Sequence, residues 1–116
     1  MSLVLFEIRD NVALLTLNNP DKRNMLTREV CGLIVDYVAQ AEQHPDVKAL
    51  IVTGAGRAFC AGGQLKDLTP DKEMLETIYS GFLSIANCTL PTIAAINGPA
   101  VGAGFNMAVG CDVRIV

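Results

Sequence analysis

Aromatic and basic residues are scarce in this chain of 116 residues. Tryptophan is absent, aromatic residues make up 5% of the chain, and 9 Lys and Arg stand against 12 Asp and Glu. Proteins that bind nucleic acid need basic surfaces for the phosphates and often aromatic rings for the bases. Because the net charge is negative and no basic run occurs, we expect no nucleic-acid partner.

Metal-binding and targeting patterns are also missing. The chain has one histidine and no CxxC pair, so we expect no metal site and interpret Cys31, Cys60, Cys88 and Cys111 as small buried side chains. No basic segment is followed by an apolar core and a cleavage site, and no apolar run is long enough to span a bilayer. We therefore expect a cytoplasmic protein with no membrane partner.

The chain does contain a regular alternation of strand and helix patterns. The apolar strands LVLFEIRD and NVALLTLNN are joined through Asp10 and Asn11, which predicts a hairpin. Thr27 predicts the cap of a first helix, and Thr69-Pro70 predicts the start of a second. Between them, VKALIVTG predicts a strand covered on both faces.

A short strand in TIAA, a buried helix in GAGFNMAVG and a strand in DVRIV complete the series. This order predicts one α/β domain, residues 1–116, with a largely parallel sheet. The apolar face of the second helix is predicted to contain Leu75, Ile78, Tyr79, Phe82 and Ala86. Since the sequence stops within an apolar strand pattern, we expect a longer protein.

Two glycine-rich loops, AGRAFCAGGQL and NGPAVGAG, each follow an apolar strand. Neither has the Lys-Ser/Thr pair of a P-loop, and Met107 stands where a dinucleotide-binding motif has its third glycine. No GxSxG motif is present, and no histidine is placed to serve Cys60 as a base, since His44 ends a helix. Two interpretations remain open: backbone N–H groups that hold a developing negative charge, or tight turns between packed elements.

Three segments, NNPDKRNML, IVTGAGRAFCAGGQL and AAINGPAVGAGFNMAVGCDVRI, resemble motifs of the crotonase superfamily, the enoyl-CoA hydratase/isomerase family. The resemblance covers essentially the whole chain, which corresponds to the N-terminal half of a family member. It implies an α/β spiral of repeated ββα units (ClpP/crotonase type), with a helical C-terminal part, absent here, that builds homotrimers or hexamers. It also implies an acyl-CoA substrate and no separate cofactor, because coenzyme A is part of the substrate.

The resemblance assigns two backbone donors by their positions in the motifs. The N–H groups of Gly63 and Ala103 would hold the oxygen of an enolate formed from the thioester, an arrangement called an oxyanion hole. The carbonyl of Ala61 would accept a hydrogen bond from the adenine amino group.

Other residues of these motifs are implied to contact coenzyme A. Lys22 and Arg23 would pair with its phosphates, unless they are ordinary solvated charges in a turn. Leu65 and Lys66 would line the bend of the pantetheine.

Two residues depart from the family pattern. Asn106 stands where a hydratase usually has Glu, and an amide can form hydrogen bonds but cannot carry a proton in this role. We therefore expect double-bond isomerisation or a non-standard hydration that uses one carboxylate elsewhere. Gln64 stands where Asp is more frequent, and it would order the loop or touch the acyl group.

Three alternatives stay open. The protein is a non-catalytic acyl-CoA-binding member, or a decarboxylase or thioesterase-like member of the superfamily, or Asn106 only caps or packs beside its loop and takes no part in the chemistry.

Overall fold

The computed structural model describes residues 2–63 and 72–116 of the chain. The elements, in chain order, are β1 (Val4–Arg9), β2 (Val12–Leu17), a 3-10 turn (Pro20–Lys22), α1 (Arg28–Gln43), β3 (Ala49–Gly54), α2 (Lys72–Ala86), β4 (Thr92–Ala95), α3 (Ala103–Gly110) and β5 (Val113–Ile115). The predicted alternation of strands and helices is confirmed, and the 3-10 turn lies within the motif NNPDKRNML.

The hairpin between β1 and β2 turns at the predicted residues. Asp10 and Asn11 have φ angles of 51° and 68°, and Arg9 pairs with Val12 on either side of them. Asn and Asp tolerate the left-handed region better than other residues with a side chain, and a two-residue turn of this hand matches the twist of the strands.

The five strands form one sheet in the order β1-β2-β3-β4-β5. Only the β1–β2 pair is antiparallel, while β2, β3, β4 and β5 run parallel. One face is buried against the helices through side chains such as Leu15, Leu50 and Ala94. Ile51 and Thr53 on the other face of β3 are only half-buried, so the prediction that this strand is covered on both faces is wrong for the described chain.

Helix α1 begins and packs as its sequence predicts. The Thr27 side chain accepts a hydrogen bond from the Val30 N–H at 3.2 Å, which satisfies one of the free donors of the first turn. Val30, Ile34 and Val38 recur at helical spacing and are buried. Tyr37 lies at the edge of this face, where its ring stacks on Phe6 with centroids 4.8 Å apart.

Helix α2 buries a different face from the predicted one. Ile78 and Phe82 are buried as predicted, but Leu75 and Tyr79 are 37% and 50% exposed. The close approach to α1 occurs at Gly81, where an added Cβ would lie 2.8 Å from the Cys31 sulphur. With this face of α2 packed against α1, Leu75 and Tyr79 remain partly exposed. The predicted start of the helix at Thr69-Pro70 lies outside the described residues.

Each of the three parallel strands β2, β3 and β4 is followed by a short bridged segment and then by a helix. The residues that form bridges are Leu26 after β2, Cys60 and Gly63 after β3, and Ala100 after β4, and they pair in parallel as Leu26 with Gly63 and Cys60 with Ala100. The pattern strand, bridged segment, helix therefore occurs three times, which is the predicted repetition of ββα units.

Helix α3 is buried on one side only. Gly104, Met107 and Ala108 are buried, whereas Phe105 and Val109 are more than half exposed, so the prediction of a buried helix is correct for one face only. At the following turn, the Asp112 carboxylate accepts a hydrogen bond from the Thr92 N–H at 2.9 Å and joins the start of β5 to β4. In the described ranges, no helix is long and apolar enough to cross a bilayer.

Candidate active site

Three loops meet at one edge of the sheet, because β2, β3 and β4 run parallel and their carboxyl ends lie together. The loop after β3, residues 55–63, is the central one; we call it the central loop. The segment 19–27 lies on one side of it and the segment 96–102 on the other. Hydrogen bonds from both neighbours hold the central loop in place.

The first neighbour contributes a buried asparagine. Asn24 is 1% exposed, and its side-chain N–H groups donate to the carbonyls of Ala55 and Ala58, both at 2.9 Å. Its side-chain oxygen accepts from the Asn19 N–H at 2.8 Å. Asn24 has a φ of 58°, a left-handed conformation that Asn adopts more readily than most residues. This amide therefore joins the 3-10 turn to the central loop.

The second neighbour contributes an exposed asparagine with the same bonding pattern. The Asn97 side-chain N–H groups donate to the carbonyls of Gly56 at 3.0 Å and Ala58 at 3.1 Å. Its side-chain oxygen accepts from the Gly54 N–H at 3.2 Å. The carbonyl of Ala58 thus accepts hydrogen bonds from both asparagines. Sequence reasoning did not select either asparagine, although both lie within the quoted motifs.

Backbone hydrogen bonds continue this pattern along the central loop. On one side, Ala61 N–H donates to the Arg23 carbonyl at 2.9 Å, and Leu26 N–H donates to the Gly62 carbonyl at 2.7 Å. On the other side, Val101 N–H donates to the Cys60 carbonyl at 3.0 Å. The backbone of residues 60–62 is therefore fastened to both neighbours immediately before Gly63.

Gly63 and Ala103 line one cavity of about 380 Å³. Ala103 is the first residue of α3, so its N–H has no partner within the helix and lies at the positive end of the helix dipole. Among the described residues, neither the Gly63 N–H nor the Ala103 N–H has a backbone acceptor. The assignment of both as oxyanion donors stays a prediction.

Glycine residues allow the central loop to approach the segment 96–102 and the start of α3 closely. Gly62 has a φ of 106°, and a Cβ added there would lie 2.9 Å from the Val101 carbonyl oxygen and 3.8 Å from the Ala103 nitrogen. A Cβ added at Gly104 would overlap the carbonyl of Cys60. Side chains at these positions would push the two loops apart, so the glycines allow Gly63 and Ala103 to share one cavity.

The side chains of the described wall of this cavity are apolar apart from one phenol and one amide. Leu75, Ile78 and Tyr79 of α2 line it together with Asn106. Sequence reasoning assigned the three α2 residues to the core, because periodicity alone does not distinguish a core face from a cavity wall. No carboxylate or histidine is among the described residues that line the cavity.

Asn106 lies one turn into α3 with an exposed side chain. Its backbone N–H donates to the Gly102 carbonyl at 3.0 Å, and its side-chain amide has no hydrogen-bond partner within the described part of the chain. The amide therefore does not cap the loop there, and it remains available to a molecule in the cavity.

A second cavity, of about 300 Å³, shares Ala61 with the first as a lining residue. Arg23 and Arg57 both line it, although 34 residues of sequence separate them. Arg57 was missed by sequence reasoning, since only the folded loops bring it beside Arg23. Lys22 is exposed at the end of the 3-10 turn and is not among the described lining residues. Gln64 and Leu65, with the neighbouring Lys66, lie outside the described residues.

Cys60 is poorly suited to act as a nucleophile. Its side chain is fully buried, and burial raises the pKa of the thiol from 9.0 to about 11. The thiol is therefore protonated near neutral pH, and the thiolate is the nucleophilic form of cysteine.

The fold is that of a known class. The sequence model of the Enoyl-CoA hydratase/isomerase family matches residues 7–116, and the chain belongs to that family. The resemblance to the crotonase superfamily and the predicted fold class are thereby confirmed.

Among its relatives, the chain is 48% identical to a Mycobacterium tuberculosis protein named "Probable enoyl-CoA hydratase", over 97% of this chain and 46% of the relative. It is 35% identical to the 1,2-epoxyphenylacetyl-CoA isomerase of Escherichia coli, over 99% of this chain and 47% of that protein. The crystal structure of an enoyl-CoA hydratase/isomerase from Xanthobacter autotrophicus Py2 matches with a TM-score of 0.90 and 35% identity, over 97% of this chain and 45% of that one. The chain spans about half the length of the curated relatives it matches.

Proposed function

We propose that the protein binds an acyl-CoA thioester at this edge of the sheet and stabilises an enolate formed from it. The N–H groups of Gly63 and Ala103 donate to the thioester oxygen, where the negative charge develops. The observation that carries the proposal is that both N–H groups line one cavity and have no backbone acceptor among the described residues. Loss of one such donor reduces the stabilisation of the transition state by ~2.7–4 kcal/mol, so the two donors together would account for a large part of the rate acceleration.

The coenzyme A portion is proposed to lie in the second cavity. The guanidinium groups of Arg23 and Arg57 pair with its phosphates, since Arg offers several donors to a phosphate. Ala61 lines both cavities, and its carbonyl accepts from the adenine amino group. Lys22 adds positive charge nearby. Gln64 and Leu65 are proposed to contact the acyl group and the pantetheine.

This proposal is tested by charge removal in the whole protein. Arg57→Gln should weaken acyl-CoA binding by about threefold to tenfold and reduce its dependence on salt, because one exposed phosphate contact is lost. Lys48→Gln is the matched control, since Lys48 precedes β3 and lies at the opposite end of that strand. Equal effects of the two substitutions on binding, measured by calorimetry at two salt concentrations, would contradict the assignment.

The reaction that fits Asn106 best is double-bond isomerisation or a non-standard hydration. An amide cannot act as a general acid or base in this role, so we assign the proton transfer to a carboxylate outside the described cavity wall. A similar protein, the Escherichia coli relative, is named as an isomerase. The absence of a carboxylate or histidine from the described wall also supports a second candidate, an acyl-CoA-binding protein or a decarboxylase or thioesterase-like member.

To test the reaction, the whole protein is incubated with a 2-enoyl-CoA and with a 3-enoyl-CoA. The products are separated by chromatography and identified by mass spectrometry. We expect the two isomers to interconvert and hydration to be slow. Asn106→Glu should accelerate hydration. Asn106→Gln should not, because glutamine has the same length as glutamate but cannot act as a general acid or base. Binding without any turnover would refute isomerisation and hydration in favour of the second candidate, and no binding would refute both candidates.

Assembly as a homotrimer or hexamer and a cytoplasmic location belong to the same proposal. Light scattering of the whole protein measures the first, and fractionation of the source cells measures the second.

A further inference from the structure

Asn97 joins the two loops that carry the proposed donors. The residue belongs to the segment that leads to Ala103, while all three of its side-chain partners, Gly54, Gly56 and Ala58, lie at the end of β3 or in the central loop. Its side chain is exposed, yet both kinds of amide atom are used within the protein. The hydrogen bonds therefore connect two loops, and one of them reaches the carbonyl of the buried residue Ala58.

The neighbouring residue confirms that the loops touch at this point. A Cβ added at Gly98 would overlap the carbonyl of Arg57. The segment 96–98 is thus in direct contact with the central loop, and the amide of Asn97 lies beside that contact. A change in the Asn97 hydrogen bonds would alter the spacing of the loops where they meet.

We infer that Asn97 is a positioning residue, whose side-chain amide sets the distance between the Gly63 N–H and the Ala103 N–H. This inference rests on the proposed function, in which both groups donate to one oxygen. Two donors act together only if each is about 2.7–3.1 Å from that oxygen. A shift of about 1 Å can cost about a hundredfold in rate, so a residue that only sets spacing can control catalysis.

Asn24 provides the matched control. Its amide donates to the same Ala58 carbonyl, but it belongs to the segment 19–27, which carries neither donor. Removal of Asn24 loosens the central loop from that segment and leaves its bonds to the segment 96–102 intact. A general loosening of the central loop should therefore affect both asparagine variants, while a loss of donor spacing should affect only Asn97 variants.

The test uses the whole protein with butyryl-CoA labelled with ¹³C at the thioester carbonyl. Hydrogen bonds to that oxygen lower the stretching frequency of the carbonyl, which infrared difference spectroscopy measures. We expect a clear downshift in the wild type, loss of most of it in Asn97→Ala, and retention of it in Asn24→Gly. Binding of butyryl-CoA should change by less than about threefold in Asn97→Ala, because most of the ligand contacts are elsewhere.

A second variant keeps the test decisive. Asn97→Asp has the same shape and still accepts from the Gly54 N–H, but it places a carboxylate against the two carbonyls. It should lose the downshift as Asn97→Ala does, even if the alanine variant folds poorly. If an enoyl-CoA is turned over, kcat should fall about tenfold or more in both variants with little change in KM.

The outcomes separate the inference from the proposal on which it rests. A downshift in the wild type that persists in both Asn97 variants overturns the inference alone. An equal loss in Asn24→Gly overturns it as well, since loosening of the loop then suffices. No downshift in the wild type overturns the two-donor proposal together with the inference.

Discussion

Replacement of Asn24 tests whether one buried amide holds the central loop. Asn24→Ala removes three hydrogen bonds, of 2.8 Å to the Asn19 N–H and 2.9 Å each to the carbonyls of Ala55 and Ala58. At ~1 kcal/mol each, their loss should lower the free energy of unfolding by ~3 kcal/mol. A further ~1 kcal/mol is expected because alanine is strained at the φ of 58° that Asn24 adopts.

The variant Asn24→Gly separates these two contributions. It loses the same hydrogen bonds, but glycine adopts a positive φ without strain, so it should be ~1 kcal/mol more stable than Asn24→Ala. Asn18→Ala is the control, because its side-chain N–H makes one exposed bond to the Ser2 carbonyl at 3.0 Å and its loss should cost less than ~1 kcal/mol.

The assay is urea unfolding of the whole protein, followed by circular dichroism at one fixed protein concentration. Two results would refute the reasoning. A loss for Asn24→Ala no larger than that for Asn18→Ala would show that the amide does not hold the loop. A glycine variant no more stable than the alanine variant would show that the left-handed backbone carries no strain.

Gly104→Ala should destabilise the protein by ~1–3 kcal/mol, because the new Cβ overlaps the Cys60 carbonyl. Gly32→Ala should instead stabilise α1 by up to ~1 kcal/mol, since an added Cβ meets nothing within 4 Å. If urea unfolding shows that both variants change the free energy of unfolding in the same direction, this contrast is contradicted. Burial raises the pKa of Cys31, Cys60 and Cys111 from 9.0 to about 11. The stability that this shift contributes is present below pH 9 and is lost as the pH rises through about 11, so unfolding midpoints should fall over that range, and less steeply in Cys60→Ala.

Two asparagines within the family motifs, Asn24 and Asn97, hold the loops together. Quoted within the motifs, Asn24 and Asn97 look like ordinary turn residues, since Asn is common in turns. In the structure both amides donate to the carbonyl of Ala58. The motifs therefore include residues that arrange the loops as well as those proposed to contact the substrate.

Local patterns were sufficient wherever neighbouring residues decide the conformation. Asp10 and Asn11 turn the hairpin through their positive φ angles, and Thr27 caps α1, because these effects act within a few residues. The alternation of strands and helices followed from the sequence in the same way, whereas the family was indicated by the resemblance of three motifs. The positions of the proposed donors also came from the sequence, as places within motifs.

Contacts between distant segments were decided only by the tertiary structure. Periodicity assigned Leu75 and Tyr79 to the core, but α2 packs on α1 through Gly81, and both residues line the cavity instead. Arg57 meets Arg23 only because parallel strands bring their carboxyl ends to one edge. The sequence by itself determined the elements and the two glycine loops, since those depend on local backbone preference. The structure decided which residues face one another across the loops, because that depends on the order and direction of the strands.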